Sequence, residues 1–203
     1  RGSVCLRPRS PWNKIGCESN EHRLEELSYS RESLVAALRD QGITYLAPSD
    51  AVATQVQKTH EKLLQALLHQ HDSRLRLAIV PLLLRHPEIS ESVLALAARL
   101  GAELSLELQT LYMAAVYLQR NWRSRLSIYL GDMPLLPNLF SHQMGLPLPD
   151  ERFGKAGLVE LADAWQARSK YPFDRLKALD NTIELFIGQL KLEKANQSHA
   201  PEI

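Results

Sequence analysis

A chain of 203 residues, 45% hydrophobic and 23% charged, has the composition of a folded globular protein and the length for one ample domain. A formal net charge of +1 excludes a global attraction to nucleic acid or to a membrane surface, so any such binding must come from a local patch. No run approaches the ~20 apolar residues of a membrane span.

Residues 1–19 read as a loose basic arm. Arg1, Arg7, Arg9 and Lys14 stand there without the extended apolar core of a signal peptide. Cys5 and Cys17, the two cysteines of the chain, fit no redox or zinc spacing. A bridge between them would need an exported chain, whereas the cysteine-free remainder fits a reducing cytosol, and a cytoplasmic location is expected.

From residue 20 onward the apolar residues recur with helical period. Leu24, Leu27, Leu34, Val35 and Leu38 mark an opening helix or helix pair, with Ser30 as an N-cap and Gly42 at its end. Ile43 to Pro48 is a loop. Ser49 and Asp50 then start a helix expected to run to His71, burying Val56, Leu63, Leu64, Leu67 and Leu68. Asp72 and Ser73 cap the next helix, which Pro81 must kink or break because proline lacks the amide donor and clashes one turn back. Ser90 caps a compact helix with Val93, Leu94, Leu96, Ala97 and Leu100 inward.

A central helix is expected over 104–130, too apolar to lie on a surface and stopped by Gly131. Leu104, Leu108, Leu111, Ala115, Leu118, Trp122 and Tyr129 keep one apolar stripe along it. Residues 131–155 break the pattern with Pro134, Pro137, Pro147 and Pro149. They carry too many leucines and phenylalanines for a flexible linker, so an ordered wrapping loop or a docking loop is expected, with one helical turn near Leu139–His142. A helix over about 156–168 and a last one with Pro172 at its first position complete the domain.

The fold expected is all-α: a single multi-helix, bundle-like domain of six or seven helices over 20–193, built around a buried central helix, with one long Pro-rich ordered loop. Residues 194–203 read as a disordered tail.

Two groups of residues are candidate sites. Arg120, Arg123 and Arg125 cluster around Trp122, and Arg74, Arg76 and Arg85 could extend the patch, since guanidinium forks grip anionic oxygens. The bland alternative is a solvated helix end whose arginines pair with local acids. A partner interface could use Trp122, the loop residues Leu135, Leu136, Leu139 and Phe140, and the 3-4 seam of Leu176, Leu179, Ile183, Phe186 and Leu190, which an intramolecular core would explain equally.

Among the histidines, His60 and His71 share a side of one expected helix. They stand roughly 16 Å apart, too far to converge on one ion. The chain lacks a Gly-rich phosphate loop, HExxH and GxSxG, and a helix-turn-helix fits residues 34–58 only loosely. No metal and no cofactor are expected. The functional expectation is a non-enzymatic intracellular interaction or adaptor module, such as a subunit of a bacterial complex, with a protein partner or self-association and no membrane. The alternative is a nucleic-acid-binding regulator using the arginine-rich helix end.

Overall fold

A computed structural model of the chain describes residues 29–46, 59–168 and 173–198, and the regular structure among them is entirely helical. The basic arm with Cys5 and Cys17, the expected helix positions Leu24, Leu27 and 49–58, the Pro172 cap and residues 199–203 lie outside the described residues. No helix among the described residues is long and apolar enough to cross a membrane.

Helix α1 spans Arg31–Asp40, and Ser30 caps it by accepting the Ser33 amide on Oγ. Thr59 caps α2, His60–Leu68, in the same way. Asp72 caps α3, Ser73–Leu77, through Oδ1 to the Arg74 amide. The break expected at Pro81 falls at Ala78, and α4 runs Ile79–Arg85. Proline 81 can give no hydrogen bond to the Leu77 carbonyl one turn back and crowds it, which ends α3 at that residue.

Helix α5, Ser90–Arg99, buries Val93, Leu96 and Ala97, but Leu94 is 50% exposed, against expectation. Ser90 is its first residue and makes no side-chain cap.

The expected 104–130 helix is two helices. Helix α6 covers Ala102–Asn121 and α7 covers Arg123–Leu130, with Trp122 between them at φ −108°, ψ 13°. No proline or glycine causes this break. It turns α7 onto the last helix, where Lys194 Nζ donates to the Ile128 carbonyl at 3.1 Å. Every residue from Leu108 to Gln119 is buried, and α4, α5 and α9 (Lys155–Ala167) pack around α6. Helix α10, Arg175–Ser198, packs on α4, α7 and α9. It therefore takes in residues 194–198, which sequence assigned to a tail.

Residues 131–154 are an ordered wrap on α6. Proline-rich backbone cannot close its own hydrogen-bond ladder, so α6 supplies donors. Tyr112 Oη donates to the Pro137 carbonyl at 2.9 Å and Tyr117 Oη to the Pro147 carbonyl at 2.7 Å. Gln119 Nε2 donates to the Pro134 carbonyl at 3.0 Å, and its Oε1 accepts the Leu136 amide at 2.7 Å. Leu136 and Phe140 are buried by this arrangement, with Phe140 edge-on to Tyr112 at 5.6 Å. Helix α8, Ser141–Met144, is the single expected turn, started by Asn138, whose Oδ1 accepts the Ser141 amide.

The wrap ends in a tight approach to α6. Arg152 and Phe153 have φ of 46° and 56°, and Gly154 has φ 83°. A Cβ on Gly154 would meet the Tyr117 carbonyl, and one on Gly157 would meet the Tyr117 ring. Both glycines are therefore required by space, and Gly154 also by conformation.

Two predictions follow from this packing. Replacing Gly157 with Ala forces the Tyr117 ring aside and should cost ~1–3 kcal/mol in denaturant unfolding, the usual penalty of overpacking. Burial, followed by the charge of Glu151, pushes the Tyr117 phenol up to about 12. The unfolded phenol loses its proton from about pH 10, while the folded one keeps it. Stability should be complete below pH 10 and fall as pH rises towards 12. Tyr117→Phe should flatten that alkaline decline in unfolding midpoints measured from pH 9 to pH 12.

Candidate functional site

The expected arginine patch does not assemble. Arg120 is turned inward: Nη2 donates to the Leu136 carbonyl at 2.9 Å and Nη1 to the Val116 carbonyl at 3.2 Å, with Asp150 3.7 Å from Nε. Burial lowers its pKa, partly offset by Asp150. Arg76 donates to the Gln70 carbonyl and lies 3.8 Å from Glu107. Arg85 Nη1 grips both carboxylate oxygens of Glu193 at 3.2 and 3.0 Å. Only Arg74, Arg123 and Arg125 of the six are fully exposed, and Arg125 stacks over the Trp122 ring at 4.9 Å. Arg123 and Leu135 share a recess of about 30 Å³, room for one water at most.

Glu107 illustrates how the protein uses arginines internally. Burial raises its pKa, and Arg76, Arg175 and Arg168 pull it back, with Trp165 as a hydrogen-bond partner. Arg175 also stacks over Trp165 at 4.6 Å and Phe173 at 5.0 Å.

The expected seam on α10 belongs to the core. Leu179, Ile183, Phe186 and Leu190 are buried and Leu176 half-buried, so none offers a free face to a partner. Trp122 and Leu139 are half-buried as well, and of the loop residues Leu135 alone is exposed.

The opposite side of α10 is another matter. Leu185 and Leu192 each stand two positions from a core residue, roughly 200° round the helix. They are 54% and 66% exposed. With Asn181, Gly188 and Asn196 they form one stripe at helical spacing, the floor of a groove of about 960 Å³. From Asn181 to Asn196 the stripe runs roughly 22 Å. Gly188 widens it, because nothing lies within 4 Å of where its Cβ would stand.

The second wall is the segment after α1, and a buried side chain holds it there. Gln189 Oε1 accepts the amides of Thr44 at 2.7 Å and Tyr45 at 3.2 Å, while Nε2 donates to the Gly42 carbonyl at 2.6 Å. Tyr45 therefore lines the groove with its phenol half-buried, and that burial raises its pKa. Glu184 and Glu193 edge the groove, and no lysine or arginine is among the described residues that line it. Asp180, one turn before Glu184, has a raised pKa from burial first and from the charges of Glu184 and Asp174 next. Lys155 partly offsets the Asp180 shift, and on the groove edge itself Glu193 is paired with Arg85.

No relative names this site. Comparison with protein-family models, curated proteins and solved structures finds no match to this chain. The groove must be judged on its own chemistry.

Two further features escaped the sequence. Phe153 is 79% exposed at the strained turn before α9, with exposed Leu148 nearby in sequence. His60 does not meet His71. It meets His86, their ring centroids 5.4 Å apart, because α1, α2 and α4 bring their ends together.

The openness of the groove floor gives a direct prediction. Gly188→Ala adds a methyl where there is room and removes a glycine from a helix interior, so it should raise stability by ~1 kcal/mol in denaturant unfolding. Its sign is opposite to that of Gly157→Ala.

Proposed function

We propose that this chain is a non-enzymatic interaction module whose α10 groove receives an amphipathic helix of a partner protein. The observation that carries the reading is one concave apolar stripe, Leu185–Gly188–Leu192, which no described residue covers, on a helix whose other face is core. Such a groove is the shape into which a helix lays residues at i, i+4 and i+7. The edge residues Glu184 and Glu193 favour a partner helix with lysine or arginine flanking its apolar face. A cytosolic setting is part of the proposal, supported by the absence of cysteine from residues 18–203.

The alternative, nucleic-acid binding through the arginines, lacks a comparable observation. Arg76, Arg85 and Arg120 are engaged with Gln70, Glu193 and Leu136, and what remains exposed is three guanidinium groups without a continuous stripe.

Photo-crosslinking from position 192 in the cells that make the protein tests the proposal, with exposed position 103 as control. The expected result is one discrete adduct with a different protein, formed from 192 and lost when Leu185 becomes Asp. Identical adducts from both positions, no adduct, or an adduct of twice the chain mass would overturn it.

A further inference from the structure

Four elements converge where α1 ends. Gln41 closes α1, His60 opens α2, His86 closes α4, and Glu88 sits in the 3-10 turn Pro87–Ile89. One ligand-capable atom from each of His60, His86 and Glu88 lies within 4.8 Å of the other two.

Hydrogen bonding fixes how these groups present themselves. His86 Nε2 is 3.0 Å from the Gln41 carbonyl oxygen, which can only accept, so Nε2 carries the proton. In the neutral ring Nδ1 then holds the lone pair, and it faces Glu88 Oε1 at 3.1 Å. Two acceptors at that distance repel unless a positive centre joins them. That centre is either a proton, making an imidazolium, or a metal cation. His60 Nε2 lies 2.7 Å from Gln41 Oε1, so a single residue orients both rings, one with its backbone and one with its side chain. A ring held by an N–H to a backbone carbonyl, with the other nitrogen free to ligate, is the usual support of a metal-binding histidine.

We propose that His60, His86 and Glu88 bind one divalent cation of the zinc class, with water completing its shell. Two imidazoles and a carboxylate suit Zn²⁺ and its neighbours Co²⁺ and Ni²⁺, whereas Mg²⁺ and Ca²⁺ prefer oxygen donors throughout. Ligand atoms around tetrahedral zinc stand roughly 3.3 Å apart, so the trio must contract by at most about 1.5 Å. Glu88 Oε1 already stands 3.1 Å from His86 Nδ1, so the distance to be closed lies on the side of His60, the first residue of α2. The other described histidines have no such company: His69 Nδ1 is engaged with the Gln65 carbonyl, and His71 and His142 are exposed. The site stands apart from the α10 groove and does not depend on what the groove binds.

Titration of the full chain with Co²⁺ and then Zn²⁺, followed by calorimetry and visible absorption, tests the proposal. The expected result is one site per chain, with cobalt bands of a low-symmetry four- or five-coordinate ion that zinc displaces. Glu88→Gln, at an exposed position that leaves the fold intact by circular dichroism, should weaken zinc by about tenfold or more, and Gln41→Ala by about tenfold. His60→Ala should abolish the cobalt bands, and His71→Ala with His142→Ala should change nothing. The proposal is overturned by absence of binding, by binding that survives Glu88→Gln and His60→Ala together, or by binding lost only with His71 or His142.

Discussion

The carboxamide of Gln119 gives an N–H to the Pro134 carbonyl and takes the Leu136 N–H, and the whole excursion from 131 to 154 is organised around that pair. Four prolines deprive this stretch of donors, so it can build neither a helix nor a hairpin of its own. Yet it carries Leu136 and Phe140, which are worth burying. Burial is possible only if the accompanying carbonyls find partners, since each one left bare costs about 1–3 kcal/mol. Gln119, Tyr112, Tyr117 and Arg120, all on α6, meet that requirement. Helix α6 therefore carries on the side of the wrap the polar groups that the wrap needs.

Gln189 repeats the device on α10. Its carboxamide satisfies Gly42, Thr44 and Tyr45, which have no regular structure to satisfy them. The consequence differs, because this strap is not laid flat on a core. It is held beside the exposed stripe of Leu185, Gly188 and Leu192, and so makes a groove out of what would otherwise be a bare helix face. The same turn, through Gln41 and Gly42, separates the groove from the His60–His86–Glu88 cluster. Arg85 closes that corner by crossing to Glu193 under Gly42.

The all-helical class, the Ser30 cap and the one-turn α8 were legible because each depends on neighbours in the chain, and the ordered Pro-rich wrap because it carries leucines and phenylalanines that a flexible linker would lack. The break at Trp122 was not. Trp122 and Tyr129 continue the apolar stripe of α6 as a straight helix would require, and only the packing of α7 on α10 shows otherwise. Arg120, Arg123 and Arg125 looked like one cluster by spacing, but Arg120, on α6, reaches the Leu136 carbonyl of the wrap, while Arg123 and Arg125 follow the break on α7 and stay outside. On α10 the 3-4 seam was visible and was core; the leucines on its back were hidden by it, because apolar residues on both sides blur a helical stripe. His60 was weighed only against histidines on its own expected helix. Its actual companion, His86, is brought in by the meeting of α1, α2 and α4, a tertiary fact with no local signal.

The most direct test of this account is native-state hydrogen exchange at the Leu136 amide. Held by a buried carboxamide, it should exchange as slowly as amides in the middle of α6, and much faster once Gln119 is replaced by Leu. Exchange of Leu136 at the rate of an open loop in the unaltered protein would contradict the account, because the wrap would then be resting on α6 without being fastened to it.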